Sequence, residues 1–169
     1  HLLERVPDFY ERLKKSYDEA FYSQEVMGEY LNPRQGLVYG AFDRRVQVGE
    51  VERDEQATLL WALDFNVNPM SSVVAQLVDG KVRVLDEIVL TRASTRDACE
   101  EFVRRYPRWQ AGLAIYADAC ASHLQTAGTT DREILEGFFA EQSGPAPSFR
   151  IPKRNPPVRD RVGLVNAKL

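Results

Sequence analysis

The stretch Thr58 to Phe65 (TLLWALDF) is almost continuously apolar and is broken by a single carboxylate, Asp64. A run this short, rich in large apolar residues, is expected of a strand buried on both faces of a sheet. A second such run, Gly112 to Ala117 (GLAIYA), leads straight into Asp118. Two strands of this kind need cover, which points to a sheet layered with helices. The sequence between and after them supplies the pieces. Ser71 to Val78 is a further β-rich run. Asp79-Gly80 follows, a strong two-residue hairpin signal, and Lys81 to Leu90 reads as the returning strand. Ser94 caps a helix reaching about Tyr106, with Asp97 in the capping-box position and Pro107 as its stop. Thr130 with Glu133 caps another, to about Glu141. Ser148 to Ile151 is a short fifth strand, and Pro157 opens a last helix with Val158, Val162, Val165 and Leu169 as its buried stripe. Three antiparallel strands, helix, strand, helix, strand, helix: the predicted class is α/β, a mixed sheet flanked by helices. Its fourth strand crosses over by a helix and so lies parallel to the first.

The residues ahead of this block differ in character. Residues 8–21 set Tyr10, Leu13, Tyr17, Ala20 and Phe21 on one helical face, Leu37, Val38, Tyr39 and Phe42 suggest a short strand, and residues 44–56 are a polar connector. Trp61 and Trp109 are expected in the core. The chain is 169 residues long with a net charge of -3, so a globally basic nucleic-acid binder is excluded. The charge is unevenly spread, however. Residues 145–169 hold Arg150, Lys153, Arg154, Arg159, Arg161 and Lys168 against the lone acid Asp160, together with five of the nine prolines. Such a segment reads as an exposed, extended stretch; it either meets something anionic or is a solvated loop. No apolar run approaches the roughly 20 residues of a membrane helix, which excludes a spanning protein. Two cysteines, Cys99 and Cys120, make neither a disulfide framework nor a four-sulfur zinc site, and a reducing compartment is expected. Residues 1–20 are charged throughout, unlike a signal peptide. A start at His1 is expected of a piece excised from something longer.

The chemistry centres on acids. If the first and fourth strands are parallel neighbours, Asp64 and Asp118 end them at the same sheet edge, about 4.8 Å apart. Two carboxylates that close repel unless a proton or cation lies between them, and oxygen donors without histidine or thiolate favour Mg²⁺ or Mn²⁺. Asp160 is a third candidate, about 200° around its helix from Val158 and flanked by cations. Three carboxylates with a basic rim of Lys153, Arg154, Arg159 and Arg161 suit a two-metal phosphodiester site, the cations gripping the phosphate backbone. Each acid also has an ordinary reading, as a turn former, a cap or a dipole partner. Glu87 is a candidate metal-proximal acid whose ordinary place is the outward face of a strand. His123 is a candidate near a metal or phosphate whose ordinary place is an exposed loop. Cys120 is expected to be a small buried residue. There is no GxxxxGK[ST] phosphate loop, no serine elbow and no HExxH.

Four stretches in order, Gln24 to Phe42 (QEVMGEYLNPRQGLVYGAF), Trp61 to Met70 (WALDFNVNPM), Ile115 to Ala121 (IYADACA) and Lys153 to Leu169 (KRNPPVRDRVGLVNAKL), resemble the nuclease domain of phage terminase large subunits, the DNA-packaging motor proteins. The resemblance implies an RNase H-like fold and a metal-dependent endonuclease that cuts concatemeric double-stranded viral DNA. Asp64, Asp118 and Asp160 would be the ligands of Mg²⁺ or Mn²⁺. It implies residues 1–56 as an arm from an ATPase domain that would precede His1, and 57–169 as the nuclease. Portal protein and the small terminase subunit would be partners, in the host-cell cytoplasm. Another RNase H-like nuclease, such as a junction resolvase or transposase core, and a non-enzymatic docking domain remain alternatives.

Overall fold

A computed structural model describes residues 37–66, 68–122 and 128–169. The helix expected over 8–21 lies outside them. The chain divides into two compact units, residues 49–156 and residues 1–48 with 157–169.

In the first unit the sheet has the order β3-β2-β1-β4-β5. β1 (Leu59–Asp64) pairs antiparallel with β2 (Met70–Val78), which pairs antiparallel with β3 (Lys81–Leu90). The β2–β3 turn is made by Asp79 and Gly80, both at positive φ (52° and 73°), the mirror-image turn whose twist suits a two-residue hairpin. The chain then crosses over through α2 (Thr95–Arg105), the second helix among the described residues, to β4 (Leu113–Ala117), which lies parallel to β1. It crosses again through α3 (Asp131–Ala140) to β5 (Ser148–Arg150), parallel to β4. These bounds match the expected elements closely. Both expected capping boxes form: the Ser94 and Asp97 side chains exchange hydrogen bonds with each other's backbone N–H, as do those of Thr130 and Glu133.

The core follows from strand alternation. Leu59, Trp61 and Leu63 of β1 point to one face with Val74 and Ile115 of its neighbours. Trp61 stacks on Phe102 of α2 at 4.4 Å between ring centroids, and Phe139 of α3 meets both rings edge-on at 6.1 Å. Trp109 is buried as well, its indole N–H donating to the Pro145 carbonyl. The polar groups enclosed there are satisfied. Trp61 Nε1–H donates to Ser72 Oγ. The fully buried Gln76 amide donates to the Asp54 and Ala57 carbonyls and accepts from Asp54 N–H, tying the 54–57 approach to the sheet.

The expectation that β1 is buried on both faces is corrected. α2 and α3 both pack on the Trp61 face, so Ala62, Asp64 and Tyr116, on the other, are exposed among the described residues.

In the other unit, α1 (Arg44–Gln47) is a single turn capped by Asp43, and α4 (Val158–Asn166) follows Pro157. The strand expected over 37–42 is instead a turn, with Phe42 N–H bonded to the Tyr39 carbonyl. No strand partners it among the described residues. The Asn166 side chain takes its Val38 carbonyl and Ala41 N–H. The stripe expected to be buried on α4 is not: Val158 is 65% exposed, and Val165 and Leu169 line an open apolar hollow with Leu37, Val38, Tyr39 and Phe42. No described helix is long and apolar enough to cross a membrane.

Candidate metal and DNA site

Asp64 is the last residue of β1, and Leu63 before it is the register partner of Ala117, the last residue of β4. Continuing that parallel register by one residue sets Asp64 beside Asp118. The two carboxylates therefore occupy the carboxyl ends of adjacent parallel strands, where the chain after β1 turns to one side and the chain after β4 to the other. This is the position at which open sheets leave a crevice. Because Leu63 is buried, Asp64 projects from the opposite face to α2 and α3; it is exposed, and Asp118 is half-buried.

Local hydrogen bonds hold both acids. Asn66 Nδ2–H donates to Asp64 Oδ2 at 2.9 Å. Asp118 Oδ1 accepts from Cys120 N–H at 3.0 Å, and the Asp118 carbonyl accepts from Ala121 N–H, opening a 3₁₀ turn over Ala119–Ser122. The turn-forming role weighed for Asp118 is thus real, and it engages one of its two carboxylate oxygens. Cys120 is exposed rather than buried, a correction with a local cause. It stands in the first turn beyond β4, with its thiol on Asp118 Oδ1. That hydrogen bond first, then desolvation and the carboxylate charge, push the thiol up to about 11.

The basic segment is fastened to the same place. Asn155 Oδ1 accepts from Ala119 N–H at 2.7 Å, so the bend carrying Lys153 and Arg154 is tied to the residue after Asp118. Sequence reasoning did not single out Asn155. An asparagine before Pro-Pro reads only as a turn former, and a bond spanning 36 residues has no local signature.

Not every candidate gathers here. Glu87 is exposed on β3 opposite Val73, in the Ala62 row, two strand spacings (roughly 10 Å) from β1. Its outward-facing reading stands. Its neighbour Asp86 is paired with Arg105 at 2.9 Å. His123 lies outside the described residues. Asp160, Arg159 and Arg161 are exposed in the first turn of α4, in the other unit. Among the described residues, no three histidine, cysteine or acidic side chains converge as a metal-ligand group.

Solved structures share this architecture. The large terminase from a thermophilic bacteriophage matches over 94% of this chain in three crystal structures, at TM-scores of 0.53, 0.54 (bound to ADP) and 0.56 and 14–15% identity. The fold is RNase H-like. The chain spans 37–39% of the length of those terminase chains. The fowlpox virus Holliday junction resolvase is a looser likeness, at a TM-score of 0.39, 11% identity and 63% of this chain. No protein-family model matches the chain, and no curated protein matches it in sequence. In this RNase H-like sheet the two central parallel strands are the ones that end in Asp64 and Asp118.

Proposed function

We propose that this chain is the nuclease part of a viral DNA-packaging terminase, a Mg²⁺- or Mn²⁺-dependent endonuclease that cuts concatemeric double-stranded DNA. The observation that carries the reading is the register of β1 and β4, which sets Asp64 beside Asp118 at one sheet edge in a chain with the large-terminase fold. The donor set fits a hard divalent cation. Asp64 and Asp118 offer only oxygens, and each has one oxygen held by a neighbour (Asn66 or the Cys120 turn) and one without a hydrogen bond among the described residues. Holding two like charges together raises their demand for a cation between them. The terminase resemblance alone adds Asp160 as a candidate third ligand. Two ions bound there would supply water activation and stabilisation of the leaving oxygen.

The chain's own residues do the rest. Asn66 orients the Asp64 carboxylate. The turn after β4 orients Asp118, and Asn155 keeps Lys153 and Arg154 where they grip a phosphate next to it. Arg159 and Arg161 are proposed as further phosphate contacts on their charge alone. Portal protein, a small terminase subunit and the host-cell cytoplasm belong to the same proposal.

The test is plasmid cleavage with Mn²⁺, Mg²⁺ or EDTA beside Asp118→Ala and Asp64→Ala. Metal-dependent nicking and linearisation lost in both variants supports the reading, and wild-type-like cleavage by either overturns it. A preference for branched DNA over plain duplex would instead favour a resolvase-type nuclease.

A further inference from the structure

The sheet face opposite α2 and α3 carries a further feature beside the acid pair. Tyr116 is the register partner of Ala62 on one side and of Arg150 on the other. Their neighbours Ile115 and Phe149 turn inward to the core, so Tyr116 and Arg150 turn outward, to the face from which Asp64 projects. Tyr116 is 40% exposed, and Arg150 is exposed and has no ion pair among the described residues. The row is two residues short of the Asp64–Asp118 row, a step of about 6.6 Å along the strands. The side chains flanking it, Ala62, Ala114 and Ser148, are small and leave the floor shallow.

Tyr116 and Arg150 thus set a guanidinium beside an outward ring, one step along the strands from two carboxylates. The pairing matches the needs of a nucleic-acid backbone: a fork of donors for phosphate oxygens, and a flat amphipathic surface for the sugar beside them. We propose that Tyr116 and Arg150 form a DNA-strand subsite on this sheet face, next to the acid pair. Arg150 takes a phosphate of the cut strand, and the Tyr116 ring packs on the adjoining deoxyribose. The inference rests on the nuclease reading and fixes the path of the DNA across β4 and β5 rather than along the tail alone.

The test is binding of a short labelled duplex in EDTA, where no cutting occurs, over a range of salt. Arg150→Ala should weaken binding about 5- to 10-fold near 0.1 M salt and reduce the slope of log affinity against log salt by about 1. Tyr116→Ala should weaken it severalfold with the slope unchanged, and Tyr116→Phe, which keeps the ring, should bind as the wild type does. Melting temperatures of the variants show whether each folds; if Tyr116→Ala does not, Tyr116→Leu takes its place. Wild-type affinity and slope in Arg150→Ala, or no DNA binding by the wild type, overturns the subsite. The two readings fail separately. Binding that depends on Arg150 and Tyr116 without metal-dependent cleavage would leave the subsite standing and the nuclease not. Cleavage and binding indifferent to both residues would do the reverse.

Discussion

Asp118 holds the turn after β4 with one carboxylate oxygen, through the Cys120 N–H, and the proposed metal site would use the other. That turn is fastened from outside by the Asn155 side chain on Ala119 N–H. An exposed hydrogen bond of this kind contributes only about 0.5–1.5 kcal/mol to folding. Asn155→Ala is therefore expected to change the melting temperature little. Its effect should fall on placement, because Lys153 and Arg154 keep their charge but lose their fixed distance from Asp118. DNA binding in EDTA should stay within about threefold of the wild type with the same salt slope, while cleavage falls at least about tenfold. Faster hydrogen exchange at the Ala119 amide would confirm that the bond was lost. Equal losses in binding and cleavage would make Asn155 a simple contact instead. Cys99 illustrates the opposite residue-scale case. It is sealed among core side chains, and burial pushes its thiol up to about 12, so it is inert packing.

The elements around the site were legible because their signals are local. Ser94 with Asp97 and Thr130 with Glu133 announce helix starts, Asp79-Gly80 announces a hairpin, and each acts within four residues of itself. Ser94→Ala or Thr130→Ala should therefore cost about 1 kcal/mol each, read as a fall in thermal stability with the far-ultraviolet spectrum unchanged. What was not legible depends on neighbours. The apolar stripe of α4 and the outer face of β1 read as buried, yet whether apolar side chains are covered depends on what packs against them, not on their spacing. Element packing also carries a pH signature. Arg105 on α2 bonds both Asp86 on β3 and Glu101, while Arg104 bonds Glu101 in turn. The side-chain hydrogen bonds from Arg104 and Arg105 hold the Glu101 carboxyl down at about 2. A depressed carboxyl contributes stability above its ordinary value near 4.5 that is lost as pH falls through about 2. Glu101→Gln should accordingly melt below the wild type at pH 6, and the gap should close by pH 2. A gap that persists unchanged at low pH would show that the loss is one of packing rather than charge.

At the scale of the whole molecule, the arrangement of charge sets how the protein would meet DNA under the proposed function. A net charge of -3 gives no long-range attraction, but the proline-rich stretch from residue 145 onward carries six cations against one acid, so the rest of the chain is negative. If the proposed function holds, DNA would approach that stretch and avoid most of the remaining surface, which would orient it before any specific contact forms. The order of the strands could be read from the alternation of signals, and with it the pairing of Asp64 with Asp118. Asp160, which the sequence also offered as a ligand, belongs to a different compact unit, and no local pattern reports on the placement of one unit against another. Because binding in this picture is mostly counterion release from phosphates, it should be independent of sequence and steeply weakened by salt. The double variant Lys153→Ala with Arg154→Ala should reduce the slope of log affinity against log salt by about 2 and weaken binding to all duplexes alike. Such an outcome would place two phosphate contacts on the segment tied to the Asp118 turn. An unchanged slope would mean that the charge there is solvated and that the grip lies elsewhere. In that case the asymmetry of the chain would serve solubility, not recognition, and the acid edge would need its DNA delivered by another part of the packaging assembly.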